Sequence, residues 1–381
     1  MKRHKNATSN SRKTFIALVR AGLWEKDTLL LPFGKVDYEE VMRLAEEQSV
    51  VGLITVGLEH VKDVKVPQEW VLQFIGSTLQ IEEQNKAMNS FIEDIVGKLR
   101  ESGIYTIIVK GQGIAQCYER PMWRASGDVD FLLDEDNYEK AKAFLTPMAD
   151  TVEKESDKHQ GMNIGSCVVE IHGDQHCGLS ARMDRMIDEV QKEVFCEGKV
   201  RTWVNGNTTV ILPAPDEDVF IVFTHFIKHF FKEGLGLRQI CDWCRLLWRY
   251  KDSLNHGLLE SRIKKAGLRS EWCAFAAFAV EYLGMPKEAM PMFDSSSKFQ
   301  DSGFKEKAER ILKYVMEVGN MGHNRDDGSD GRRTFIARKV ASFSRRVADF
   351  CNHALIFPMD SLRFFPSIVF NGIRLAAKGI G

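Results

Sequence analysis

Val109-Lys110-Gly111-Gln112-Gly113, followed by Gly127-Asp128-Val129-Asp130-Phe131, decides how the rest of the chain reads. Ile104-Tyr105-Thr106-Ile107-Ile108-Val109 is β-branched and aromatic without a break, which predicts a buried strand running into a tight turn at Gly111 and Gly113. Residues 126–133 predict a second strand. Side chains alternate faces along a strand, so Asp128 and Asp130 share one side while Val129 and Phe131 take the other. Two carboxylates crowded at one spot raise each other's pKa or repel, unless a divalent cation lies between them. A hard ion such as Mg²⁺ takes one or two carboxylates together with phosphate oxygens, so a phosphoryl or nucleotidyl substrate is the economical expectation.

The chain has 381 residues, 44% of them hydrophobic and 10% aromatic, enough for two or three domains with real cores. Its 52 basic and 53 acidic residues nearly cancel, so bulk nucleic-acid binding is not indicated and any polyanion site must be local. Eight cysteines are scattered without the dense spacing of a disulfide scaffold, as expected of reduced thiols in a cytoplasm. Cys241-Asp242-Trp243-Cys244 lies inside an apolar helical pattern with no second CxxC, and predicts helix packing rather than zinc or redox chemistry. The run Phe15–Val19 is too short for an export signal, and no window approaches the roughly 20 apolar residues of a membrane span. A soluble, cytoplasmic protein is expected.

Three regions follow from the patterning. Residues 1–102 form a helical N-terminal region, helical from 14 onward, with Asp37 as an N-cap three residues before Glu40. Residues 103–215 carry the strand signals, at 104–109, 127–133, near Thr151 to Glu155, at Cys167–His172, and in a hairpin turning at Asn205-Gly206. Helical patterns at 112–120 and 135–147 alternate with the first strands. Residues 216–381 are helical again, with a mobile loop expected near 319–333. The basic, aromatic tail 334–381 reads as an amphipathic segment docked on the body, with partner or membrane-surface binding as the alternative.

The strand, glycine turn, helix and acid-bearing strand resemble the nucleotidyltransferase fold of the DNA polymerase β superfamily. The longer pattern, Val109-Lys110-Gly111, Tyr118, Arg124 and Gly127-Asp128-Val129-Asp130-Phe131-Leu132-Leu133, resembles more closely a bacterial family of uncharacterised nucleotidyltransferases. Val168-Val169-Glu170-Ile171-His172 is similar to that family's strand ending in an acid-x-His, and His225, His229, Gly236-Leu237-Arg238 and Asp242 to its helical segment. The fold class implied is α+β, an α/β-type nucleotidyltransferase core with a mixed sheet flanked by N- and C-terminal helical regions.

The resemblance implies a transferase that moves a nucleoside monophosphate from an NTP, ATP first, to an unidentified acceptor with release of pyrophosphate. Asp128, Asp130 and Glu170 would be its catalytic and metal-ligating acids, for Mg²⁺ or Mn²⁺. Lys110, Gly111, Gln112, Gly113 and Arg124 would meet the nucleotide, the glycine turn through its amides and the cations through the phosphates. His172, His225, His229, Arg238 and Asp242 are candidate cleft residues; a helix salt bridge explains the last pair equally well. The chain departs from the superfamily at Gln112, where a small residue is usual, and in its longer spacer to Asp128. That departure motivates the alternative, a catalytically silent nucleotide-binding or scaffold module of the same fold.

Overall fold

The computed structural model describes residues 9–293, 303–320 and 347–377. At its centre lies a sheet of β1 (Ile107–Val109), β2 (Asp128–Leu132), β3 (Thr151–Val152), β4 (His159–Ile164) and β5 (Cys167–His172), ordered β1-β2-β5-β4-β3. β2 and β5 run parallel and the other neighbours antiparallel, so the sheet is mixed. Register sets Asp130 between Val109 and Glu170, and His159 opposite His172. Partners in register project to the same face, so Asp128, Asp130, Glu170, His172 and His159 all emerge on one side.

The other side is apolar. Val129, Phe131, Val169, Ile171 and Met162 are buried there with Met88, Ile92 and Ile95 of α4 (Gln68–Glu101) and with Tyr138 and Leu145 of α6 (Glu135–Leu145). At the β1 end of the acid-bearing side, Ile107, Val109 and Leu132 pack with Val194 of α7 (Ala181–Cys196), under the hairpin β6 (Val200–Asn205) and β7 (Thr208–Pro213). This covering leaves the polar side chains grouped together.

A second, larger interior is helical. α1 (Ser9–Trp24), α2 (Tyr38–Glu47) and α3 (Val51–Glu59) pack with α8 (Pro215–Lys232), α9 (Leu237–Tyr250), α10 (His256–Ala266), α11 (Arg269–Glu281) and Phe304–Val318 through Phe15, Leu18, Ile54, Phe223, Trp243, Trp272 and Phe275. Phe74 of α4 also belongs to it. Gly52 of α3 lets the chain before β2 come close, since a Cβ there would stand 2.0 Å from the Trp123 carbonyl oxygen.

Asp37 caps α2 by accepting from the Glu40 amide at 3.1 Å, and the hairpin turns at Gly206. Other boundaries differ from expectation. The first strand is only Ile107–Val109, and the helix expected at 112–120 is the single turn α5 (Gly111–Ala115), with Pro121 opening a 3-10 turn, Pro121–Trp123. The N-terminal helical region is interrupted between Trp24 and Tyr38 and again between Glu59 and Gln68, and β4 was not expected. Cys241 and Cys244 are buried in α9 as free thiols. Of the expected loop, 321–333 lie outside the described residues, as do 334–346 of the tail. Within the helix Pro358–Ala377, Phe364 is fully buried with its ring 4.9 Å from that of Phe231. Among the described residues, no helix is long and apolar enough to cross a membrane.

Candidate active site

The site begins with a backbone constraint. Lys110 and Gly111 leave β1 at φ 60° and φ 40°, and a Cβ at Gly111 would stand 3.3 Å from the Asp128 carbonyl oxygen. A non-glycine residue held in the left-handed region costs about 1–3 kcal/mol, so the surrounding structure must impose it. The turn returns the Lys110 ammonium to the sheet, where it donates to Asp130 Oδ1 at 2.8 Å and lies 3.1 Å from His225 Nε2.

Asp128, Asp130 and Glu170 each offer a carboxylate oxygen within 4.8 Å of the others. Their surroundings separate them. Asp128 is pushed above the usual aspartate range, first by the charge of Asp130 and then by burial. Burial acts the same way on Asp130, but Lys110 and a 2.7 Å hydrogen bond with His172 Nε2 outweigh it and hold that carboxyl low. Glu170 is held far below the glutamate range against its own burial, through hydrogen bonds with His159 and His172. Lys110 in turn is desolvated, yet Asp130, Asp128 and Glu170 raise its pKa and keep it charged. Three acids thus face one internal ammonium, and Asp128 is the least compensated. This donor set suits a hard divalent cation, whose coordination is built from oxygens of this kind.

Other expected residues take different positions. Gln112 is buried and donates to Asn85 Oδ1 at 2.7 Å and to Ser126 Oγ at 3.2 Å. Gly113 faces β7, where a Cβ would stand 2.8 Å from Leu212 Cδ2. Arg124 is buried in a two-pronged pair with Asp242, Nε to Oδ1 at 3.1 Å and Nη2 to Oδ2 at 2.6 Å, and Tyr118 donates to Oδ1 at 2.8 Å. Asp242 therefore binds Arg124 and not, as an i,i+4 helix pair would require, Arg238. Arg238 instead donates to the Ala125 carbonyl at 2.8 Å and lowers the pKa of Asp128 by its charge.

His225 and His229 stand one turn apart on α8, with Nε2 atoms 3.1 Å apart. Burial and the Lys110 charge hold His225 well below the usual histidine range, so it is neutral. His229 Nδ1 reaches Glu233 Oε2 at 2.6 Å. The chain Asp130, Lys110, His225, His229, Glu233 runs from the sheet along one helix face.

Two contributors escaped the sequence reading. Asn85, in the middle of α4, donates to the carbonyls of Met122 and Arg124 at 2.8 Å each and so fixes the chain that enters β2. His159 of β4 stacks on His172 with ring centroids 4.6 Å apart. Its strand, His159-Gln160-Gly161-Met162-Asn163-Ile164, carries Gln160 at one of its three inward positions and a glycine beside it, which breaks the apolar alternation that would have given a signal.

A family model described as uncharacterised nucleotidyltransferase matches residues 34–284. The chain belongs to that nucleotidyltransferase family. The matched stretch contains the glycine turn, both acid-bearing strands, α8 and α9. Among solved structures, an antigenic nucleotidyltransferase-like protein from Paracoccidioides brasiliensis is similar at 13% identity and a TM-score of 0.31, over 52% of this chain and 92% of that one. No curated protein matches the chain.

Proposed function

We propose that this nucleotidyltransferase is active, and that it uses Mg²⁺ or Mn²⁺ to transfer a nucleoside monophosphate from an NTP, ATP being the first to test, to an acceptor. The convergence of Asp128, Asp130 and Glu170 on adjacent strands carries this reading. An acceptor oxygen attacks the α-phosphorus, the bond from that phosphorus to the bridging oxygen breaks, pyrophosphate leaves, and the acceptor's proton passes to solvent. Asp128, Asp130 and Glu170 would hold a divalent ion, which would supply neutralisation of the phosphate charge and alignment for in-line displacement.

The chain's own residues have defined parts. Glu170, with its pKa depressed, is a poor proton acceptor and is suited to holding a cation. His172 fixes the orientation of Asp130 through their hydrogen bond. The first intrahelical amide of α5 is that of Ile114, donated to the Lys110 carbonyl. The amides of Gly111, Gln112 and Gly113 are thereby left out of that helix's own ladder, as donors for phosphate oxygens. Lys110 remains charged for the same purpose. Arg238, rather than the sealed Arg124, is the guanidinium proposed to meet phosphate: its charge acts on Asp128, and it is bonded through one nitrogen to Ala125.

The test is to incubate the full chain with α-labelled NTPs, Mg²⁺ or Mn²⁺ and a metabolite extract, following pyrophosphate and labelled adducts by mass spectrometry. Turnover should fall at least about 100-fold in Asp128→Asn and in Asp130→Asn, the scale of losing a preorganised electrostatic group. Equal turnover in both variants would remove the reading. One observation favours the silent alternative: the Lys110 ammonium already neutralises Asp130. Tight NTP binding with no product across the extract would decide for it.

A further inference from the structure

Beside the three acids stands a second donor set of different chemistry. His159, Glu170 and His172 offer two imidazole nitrogens and a carboxylate oxygen within 4.8 Å of one another. The sheet itself places them, since His159 lies opposite His172 in the β4–β5 register, and Glu170 is two residues before His172 on the same face. The two rings stack with their planes 26° apart. Both address one atom, Glu170 Oε2, at 3.0 Å from His159 and 3.4 Å from His172. Ligands about 2.0–2.1 Å from a tetrahedral ion are separated from each other by about 3.3 Å, so these spacings suit a shared ion.

His159 Nε2 faces Glu170 Oε2 at 3.0 Å, and His172 Nε2 faces Asp130 Oδ1 at 2.7 Å with Glu170 Oε2 3.4 Å away, so both imidazole nitrogens are turned toward carboxylates. A bound cation would take the lone pairs of both Nε2 atoms and an oxygen of Glu170, replacing the hydrogen bond that His172 Nε2 makes to Asp130 in its absence. The site is also reachable, because the His159 and Glu170 side chains are 39% and 29% exposed. Imidazole selects against Mg²⁺, which prefers oxygen, and toward Zn²⁺, Co²⁺, Ni²⁺ and Cu²⁺.

We propose that His159, Glu170 and His172 form a transition-metal site, distinct in chemistry from the oxygen-only position at Asp128 and Asp130 and joined to it through Glu170. It requires no nucleotide and stands whether or not the chain transfers one. The ion would sit at the Glu170 end of the acid cluster, so the metal preference of this chain is set by two histidines as well as by three carboxylates.

The experiment titrates the full chain with Co²⁺, following visible d–d absorption, and loads wild type with Cu²⁺ for pulsed EPR. Nucleotide is absent throughout. Expected are one tightly held Co²⁺ and nitrogen couplings from two imidazoles. His159→Phe keeps an aromatic ring against His172 while removing the donor atom, and should weaken Co²⁺ at least about tenfold. Asp128→Asn should keep the Co²⁺ spectrum while abolishing any Mg²⁺-dependent turnover, which separates this site from the nucleotidyl reading. Absence of nitrogen coupling in wild type, equal Co²⁺ affinity in His159→Phe, or a spectrum lost in Asp128→Asn would each overturn the proposal. The EPR measurement needs no variant and so holds even if His159→Phe fails to fold.

Discussion

Replacing Asp242 with leucine removes the anion that Arg124 is buried against. The two side chains are 5% and 7% exposed, and Asp242 accepts two bonds from Arg124 and one from Tyr118. Three charge-assisted bonds at about 1.5–3 kcal/mol each would give an upper figure near 4.5–9 kcal/mol. That sum ignores the desolvation of Asp242, which the substitution recovers. What is not recovered is the stranded guanidinium, and breaking such a pair from one side costs about 3–5 kcal/mol. Against a typical total of about 5–15 kcal/mol this is a large fraction. Urea unfolding followed by circular dichroism should show that loss in Asp242→Leu. The double variant Arg124→Leu/Asp242→Leu should recover most of it, because no unpaired charge is left. A loss below about 1 kcal/mol, the range of exposed ion pairs, or strictly additive losses in the cycle, would refute the assignment of this pair as the brace between α9 and the chain entering β2.

Two further predictions concern close approach and pH. Gly52→Ala forces a Cβ to 2.0 Å from the Trp123 carbonyl and should cost about 1–3 kcal/mol in urea, whereas Gly76→Ala on α4, which meets nothing within 4 Å, should be neutral or stabilising. Glu233 is depressed from 4.5 to about 2, because its bond to His229, with help from Lys228 and Lys232, outweighs its burial. A carboxyl lowered on folding stabilises above its unfolded value and loses that contribution as pH falls from about 4.5 to about 2. Urea midpoints measured across that interval should therefore decline less in Glu233→Gln than in wild type.

The sequence exposed those parts of the fold that obey local periodicity. β2 and β5 were visible because Asp128-Val129-Asp130-Phe131 and Val168-Val169-Glu170-Ile171-His172 alternate cleanly between faces. The Asp37 cap and the Asn205-Gly206 turn were visible because each depends on neighbours within a few residues. β4 was hidden because its inward positions include Gln160, and Gly161 interrupts it. With β4 went His159. Arg124 looked like a phosphate ligand because its partner lies 118 residues away, a pairing that no window of sequence contains. The Arg238–Asp242 spacing suggested a helix salt bridge, but a buried carboxylate goes to the partner that best satisfies its oxygens, and Arg124 with Tyr118 does so.

α4 is 34 residues long, about 50 Å at 1.5 Å per residue, and unbroken. Its first half lends Phe74 to the helical interior, its last half lends Ile92 and Ile95 to the sheet, and Asn85 grips the strand entrance between them. A girder embedded at both ends ties the helical interior to the apolar face of the sheet, although the patterning of the sequence draws a boundary at residue 102. Neither half of it can be trimmed away without stripping one of the two interiors of a wall.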